Sequence, residues 1–124
     1  MTGVQTCALP ILPRLGNENI GQTIDYDKPT SRVRTMTIDG AGLKRVDLIK
    51  LDIEGMELEA LAGAVETIKR ERPILYVETI KVDGEQVRVV LGELGYTVLP
   101  HGMNVLAIHK DDPCGAHIKF DKAA

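Results

Sequence analysis

The stretch that most constrains the fold runs from Val46 to Glu57 and reads VDLIKLDIEGME. Its first part, VDLIKL, is apolar apart from Asp47 and Lys50, which is typical of a parallel strand covered by helices on both faces. Its second part places the carboxylates Asp52, Glu54 and Glu57 around Gly55. Open α/β sheets carry their sites where a strand ends and turns into a helix. The stretch therefore predicts an α/β domain with a site at the end of this strand.

The residues around this stretch predict alternating strands and helices. Apolar residues recur three and four apart in the helical segments and alternate in the strands. Pro73 ends the first helix, and Gly95 follows the second as a C-cap. The predicted elements are strands over 31–38 and 46–53, a helix over 56–70, a strand over 73–79, a helix over 84–94, and strands over 96–99 and 104–109. This order predicts a parallel sheet that ends in an antiparallel hairpin, followed by an irregular tail over 111–124.

Composition excludes several classes of function. The chain has 124 residues, 44% of them hydrophobic, and a formal net charge of −3. A chain without a basic surface and with few aromatic residues is a poor candidate for a nucleic-acid partner. No apolar run reaches the ~18 residues of a membrane span. The two cysteines fit neither a metal spacing nor a disulfide framework, so we expect a cytoplasmic protein.

The first eleven residues, MTGVQTCALPI, look unlike a natural N-terminus. They lack the basic start and the long apolar run of a signal peptide. The segment GVQTCALPI is similar to the translation of a common short-read sequencing adapter. We therefore expect residues 1–11 to be a disordered artefact and a portion of the natural protein to precede residue 12, the alternative being a disordered natural N-terminus. Residues 12–110 are then a partial domain.

Three segments, VDLIKLDIEGMELEALAGA, RPILYVE and LGELGYTV, together resemble the FkbM-type methyltransferases, which use S-adenosylmethionine. The matching positions are Asp47, Lys50, Asp52, Glu54, Gly55 and Glu57, then Leu61, Gly63 and Ala64, then Pro73 and Glu78. The segment VRTMTIDG looks like the family's preceding strand and Leu-Asp-Asp element, with Ile38 for the leucine and Gly40 for the second aspartate. The resemblance covers about Val33 to His109.

This resemblance implies the class I, Rossmann-like methyltransferase sheet, whose strand order is 3-2-1-4-5-7-6. The chain would supply strands four to seven of that sheet and an accessory strand before them. It would therefore be the C-terminal half of the methyltransferase domain. The glycine-rich loop after the first strand and the acid that binds the ribose have no counterpart, and nothing in residues 12–30 fits such a loop. We expect a fragment that lacks the main motif for S-adenosylmethionine and is inactive alone.

The same resemblance implies O-methylation of a small molecule or a glycan, with Asp52, Glu54, Lys50 and Glu78 at the catalytic site. Asp52 is also expected to contact the cofactor. A carboxylate near the methyl group can orient an acceptor hydroxyl or take its proton. Hard cations bind carboxylates, so Asp52, Glu54 and Glu78 could in principle hold one. Because no histidine or further ligand accompanies these three acids, no metal site is expected.

Each of these residues also has a structural explanation. The acids are a typical cluster at a helix N-terminus, and Lys50 is their natural ion-pair partner. Glu57 is better explained as a first-turn acid than as a site residue, an Asp-Gly turn explains Asp39 equally well, and a histidine in a hairpin loop, such as His101, is more often solvated than catalytic. For the whole chain, the alternatives are a small non-enzymatic α/β binding or interaction domain and a degenerate metal- or phosphate-binding domain. If the first strand is absent, residues 46–53 form an exposed edge that favours aggregation or oligomers.

Overall fold

The computed structural model describes residues 34–119. The strands are β1 (Leu48–Leu51), β2 (Ile74–Glu78), β3 (Tyr96–His101) and β4 (Asn104–His109), and the helices are α1 (Glu57–Ala62), α2 (Val65–Glu71) and α3 (Gly84–Glu93), with 3-10 helices at Asp39–Ala41 and Pro113–Ala116. The mixed α/β class predicted from the sequence is confirmed. The predicted strand over 31–38 begins outside the described residues, and residues 34–38 contain a single bridge residue, Met36. The expectations for residues 1–11 also lie outside the described residues.

The four strands form one mixed sheet in the order β1-β2-β4-β3. β1 and β2 are parallel, whereas β4 is antiparallel to both of its neighbours. The predicted hairpin is confirmed, and its turn contains Gly102 at φ 62°, a conformation that glycine adopts without steric cost. Because β4 inserts between β2 and β3, the antiparallel strand lies inside this sheet and not at its edge.

The core lies between one face of the sheet and the three helices. Alternate strand residues point into it, as the two-residue period of a strand requires. They meet fully buried residues of the helices, including Leu61, Ile68, Val87 and Leu91. Each such side chain contributes roughly 1.5–3 kcal/mol relative to exposure. The core members from the strands are Ile49, Leu51, Leu75, Val77, Tyr96, Val105 and Ala107.

The opposite face of the sheet is open at β1 within the described part of the chain. The side chain of Leu48 is 60% exposed, and Lys50, on the same face, is also exposed. Within residues 34–119, the helical members of the core cluster pack against strand residues of one face only. The expectation that helices cover β1 on both faces therefore stays a prediction for the second face.

The single helix predicted after β1 is interrupted at Gly63 and forms α1 and α2. The backbone N–H of Asp39 donates to the Gly63 carbonyl at 2.9 Å. The Asp39 carboxylate accepts hydrogen bonds from the N–H groups of Glu66 at 3.1 Å and Thr67 at 2.7 Å. Thr37 lies so close that a Cβ on Gly63 would be 3.1 Å from its Cγ2 atom. The segment before β1 therefore fills the interruption and caps α2.

The C-terminal part of the described chain is more regular than the predicted tail. Asp112 precedes the second 3-10 helix, and its Oδ1 atom accepts a hydrogen bond from the Cys114 N–H at 2.8 Å. Such a side-chain cap satisfies a backbone donor that would otherwise lack a partner. Among residues 34–119, no helix combines the length and the apolar character needed to cross a membrane.

Candidate functional site

The loop between β1 and α1 has an unusual backbone. Glu54 has φ 61° and Gly55 has φ 102°. The left-handed conformation costs a residue with a side chain about 1–2 kcal/mol, so other contacts must stabilise it at Glu54. One such contact is the ion pair of the Glu54 carboxylate with Lys81, in the loop after β2, in which both side chains are largely buried. The pair therefore joins the loops that follow the two parallel strands.

Glu57, the first residue of α1, supports this loop from the interior. Its side chain is only 1% exposed. Its Oε1 atom accepts hydrogen bonds from the N–H groups of Ile53 at 2.9 Å and Gly55 at 3.4 Å. Its Oε2 atom is buried and has no hydrogen-bond partner among the described residues. Sequence reasoning assigned Glu57 to the first helical turn but missed its burial. The available signal was its spacing, since a glutamate early in a helix can reach back to the preceding backbone.

Lys50 and Asp52 form an ion pair at the open face, with 2.6 Å between the lysine Nζ and the carboxylate. This hydrogen bond raises the pKa of Lys50. The two side chains are 55% and 43% exposed. Exposed pairs contribute only about 0–1 kcal/mol, so a ligand can compete for the Asp52 carboxylate at little cost.

Glu78 ends β2 at the same edge of the sheet. Burial raises the pKa of its carboxyl group, and the negative charges of Asp52, Glu54 and Glu57 raise it further, while Lys50 opposes them. Within the described residues its carboxylate makes no hydrogen bond or ion pair. The negative charges of three other carboxylates thus act on Glu78 at the carboxyl ends of β1 and β2.

The structure therefore brings together the four residues predicted for the site, Lys50, Asp52, Glu54 and Glu78, and gives them different environments. It places Asp39 elsewhere, as the cap of α2. There, partial burial raises the pKa of the Asp39 carboxyl, but the hydrogen bonds from Thr67 and Glu66 and the charge of Arg70 outweigh this effect and lower it. Among the described residues, no group of three or more His, Cys, Asp or Glu side chains is arranged to hold a metal ion.

A groove of about 460 Å³ lies away from these acids, beside β3, β4 and the second 3-10 helix. Its lining includes His109, at the C-terminal end of β4, whereas Asn104, at the other end of β4, pairs with Glu78. The groove is thus at the opposite end of the strands. The groove contains none of the carboxylates of the predicted site. The carboxyl ends of β1 and β2, where Asp52, Glu54 and Glu78 lie, therefore remain the better candidate site.

Comparison with known proteins identifies the family. The family model described as the methyltransferase FkbM domain matches residues 9–98, which is more than half of the chain. No curated protein and no solved structure gives a significant match. The matched range includes β1, β2, the helices and all four residues predicted for the site. The chain therefore belongs to the FkbM methyltransferase family.

Proposed function

We propose that this chain is the C-terminal half of an S-adenosylmethionine-dependent methyltransferase that methylates a hydroxyl group of a small molecule or glycan. The observation that carries the proposal is the parallel register of Leu51 with Val77, which places Asp52, the residue after β1, beside Glu78 at the end of β2. The negative charges of Asp52, Glu54 and Glu57 raise the pKa of Glu78. These acids follow two neighbouring parallel strands, which is where open α/β sheets bind their ligands. They do so in a chain that belongs to a methyltransferase family.

The strand order supports a class I methyltransferase sheet. The order β1-β2-β4-β3 corresponds to strands four, five, seven and six of that sheet. β1 lies at the edge of the sheet formed by the described residues, at the position where the class I order adds its first strand. The glycine-rich loop that follows the first strand would then belong to a portion of the protein upstream of this sequence.

The described residues fit one side of S-adenosylmethionine. The cofactor carries a positive sulfonium and an ammonium group, and the carboxylates of Asp52 and Glu78 offer complementary charge and hydrogen-bond acceptors. Asp52, as the more accessible of the acids after β1, is the residue we expect to contact it. When bound, S-adenosylmethionine supplies an electrophilic methyl carbon.

The environments of the four residues suggest separate roles. Glu78 has a raised pKa and makes no hydrogen bond or ion pair within residues 34–119, so it is the residue best suited to take the acceptor proton. Asp52 orients the acceptor hydroxyl, and its ion pair with Lys50 holds the Asp52 carboxylate in position. Glu54 is paired with Lys81, so its role is to hold the loop in position.

The test uses the chain extended upstream to the complete family domain. Release of S-adenosylhomocysteine is measured with a panel of hydroxylated acceptors. Loss of a general base lowers kcat by about 10²–10⁴-fold, which is the effect we expect from Glu78→Gln. Asp52→Asn should also lower turnover. Asp47→Asn is the matched control, because Asp47 is an exposed acid that pairs with Arg45 before β1. Unchanged turnover in Glu78→Gln and Asp52→Asn would remove both residues from the reaction.

A further inference from the structure

Lys81, in the loop after β2, reaches across to the loop that follows β1. Its ammonium group pairs with the Glu54 carboxylate, and the two side chains are only 18% and 16% exposed. Among residues 34–119, every other ion pair of a lysine or an arginine is more exposed at its cation. Removing one partner of a buried pair leaves the other charge without compensation, so such a pair constrains the chain more than a surface pair does. The Glu54–Lys81 pair is therefore a strong link between the two loops.

The two loops also pack closely beside this pair. Gly55 has φ 102°, and a Cβ atom there would lie 3.5 Å from Lys81 Cβ and 3.7 Å from the Lys81 carbonyl oxygen, which is van der Waals distance. On the other side of the turn, Oε1 of the buried Glu57 accepts hydrogen bonds from the N–H groups of Ile53 at 2.9 Å and Gly55 at 3.4 Å. The left-handed residue Glu54 is thus held from two sides, by Glu57 of α1 and by Lys81 after β2.

The same turn constrains the place of Asp52 relative to Glu78. Asp52 comes shortly before Glu54 in the chain, and Glu78 comes shortly before Lys81. Thr79, the residue after Glu78, is anchored as well, because its N–H and its hydroxyl donate to one carbonyl oxygen of the β3–β4 turn at 2.9 and 3.1 Å. A pair that joins Glu54 to Lys81 therefore limits how far Asp52 and Glu78 can move apart. Such control matters for a reaction, since a misplacement of about 1 Å can lower a rate by about 10²-fold.

We propose that Lys81 is a positioning residue of the site: through Glu54 it fixes the left-handed turn that follows Asp52, and it thereby holds Asp52 beside Glu78. The inference deepens the proposed function and rests on it for the effect of Lys81 on the reaction. Lys81 acts through Glu54 and not on the reacting atoms. Its replacement should therefore loosen the turn and slow the reaction together, and a residue that keeps the cation should restore both.

Hydrogen exchange followed by mass spectrometry tests the link between the loops on the chain as it exists. The N–H groups of Ile53 and Gly55 are the reporters, because their hydrogen bonds to Glu57 require the turn. In Lys81→Met, which removes the charge, the peptide that contains both groups should exchange faster than in wild type by about tenfold or more. Lys81→Arg should exchange at about the wild-type rate. Lys69→Met is the matched control, because the Lys69 side chain is 59% exposed on α2.

Turnover by the chain extended upstream to the complete domain tests the effect on the reaction. At a temperature well below its Tm, Lys81→Met should lower kcat by about 10–100-fold, and Lys81→Arg should recover most of that loss. Glu54→Gln combined with Lys81→Met should be no slower than Lys81→Met alone, because both substitutions remove one contact. Far-ultraviolet circular dichroism checks that each variant folds, and Glu54→Gln, which breaks the same pair, replaces Lys81→Met if that variant does not.

The outcomes separate this inference from the proposed function, because hydrogen exchange needs no methyl donor. Unchanged exchange in Lys81→Met would overturn the link between the loops. Faster exchange with unchanged kcat would make Lys81 a structural residue and overturn its positioning role. Absence of methyl transfer by the extended wild type would refute the proposed function and, with it, the role of Lys81 in the reaction, whereas the exchange rates would still decide whether Lys81 fixes the turn.

Discussion

Replacing Asp39 with alanine should weaken the attachment of α2 to the segment before β1. The substitution removes the acceptor for two backbone donors, the N–H groups of Glu66 at 3.1 Å and Thr67 at 2.7 Å. Loss of a helix cap of this kind costs about 0.5–2 kcal/mol. Because two donors lose their partner, we expect the upper half of that range. In a domain of this size each kcal/mol lowers Tm by roughly 4–8 °C. Thermal unfolding followed by circular dichroism measures the change.

The pH dependence provides a second test of the Asp39 cap. The folded-state pKa of Asp39 is lowered from 3.8, so its contribution is fully present above that pH and disappears as the pH falls through the folded-state value. The difference in Tm between wild type and Asp39→Ala should therefore shrink in acid. Asp47→Ala is the control, since Asp47 is highly exposed and its pair with Arg45 adds little. Equal Tm values for Asp39→Ala and Asp47→Ala at neutral pH would refute the assigned cap.

Two further predictions concern Glu78, at the end of β2, and β1, the strand at the edge of the described sheet. Glu78→Gln should stabilise the fold at neutral pH, because the raised pKa of Glu78 means that folding disfavours its ionised form. The gain in Tm should decrease as the pH falls through the folded-state pKa, and it should be absent below the unfolded-state pKa of about 4.5. A loss of stability at neutral pH would contradict this. Leu48→Lys should reduce self-association measured by light scattering after size exclusion, because Leu48 is 60% exposed on a strand at the edge of the sheet. Val89→Lys, at a residue of α3 that is 51% exposed, should leave self-association unchanged, and an equal effect of both would argue against β1 as the contact.

The regular elements after β1 could be predicted because local signals and packing agree. Val87 and Leu91 mark the buried face of α3, and Asp83 caps its N-terminus by accepting from Glu85 and Gln86. The hairpin likewise follows from two alternating segments around a tight turn. In such segments every residue favours the structure that the whole fold requires.

The interruption between α1 and α2 could not be predicted from local pattern. Apolar residues continue at helical spacing through Gly63, so the periodicity indicates one helix. The break depends on Asp39, which lies 27 residues before Glu66 in the chain and reaches α2 only in the folded state. A long-range capping contact of this kind leaves no local signal.

The proximity of the candidate site residues and the pairing of Lys50 with an acid could be predicted, but the contacts of Glu54 and Glu57 could not. Asp52 and Glu78 follow neighbouring strands, and the sequence alone indicates that such residues meet at one edge of a sheet. The pairing of Glu54 with Lys81 and the burial of Glu57 depend on the left-handed turn at Glu54. A residue with a side chain rarely adopts that conformation, so pattern reasoning does not anticipate it.

Binding of S-adenosylmethionine, measured by calorimetry on this chain and on the chain extended upstream to the complete domain, tests the central claim most directly. If the chain is the C-terminal half of a methyltransferase, the extended protein binds the cofactor and this chain alone does not. S-adenosylhomocysteine should compete for the same site in the extended protein. Absence of binding by both proteins would contradict the account and favour a binding or interaction domain.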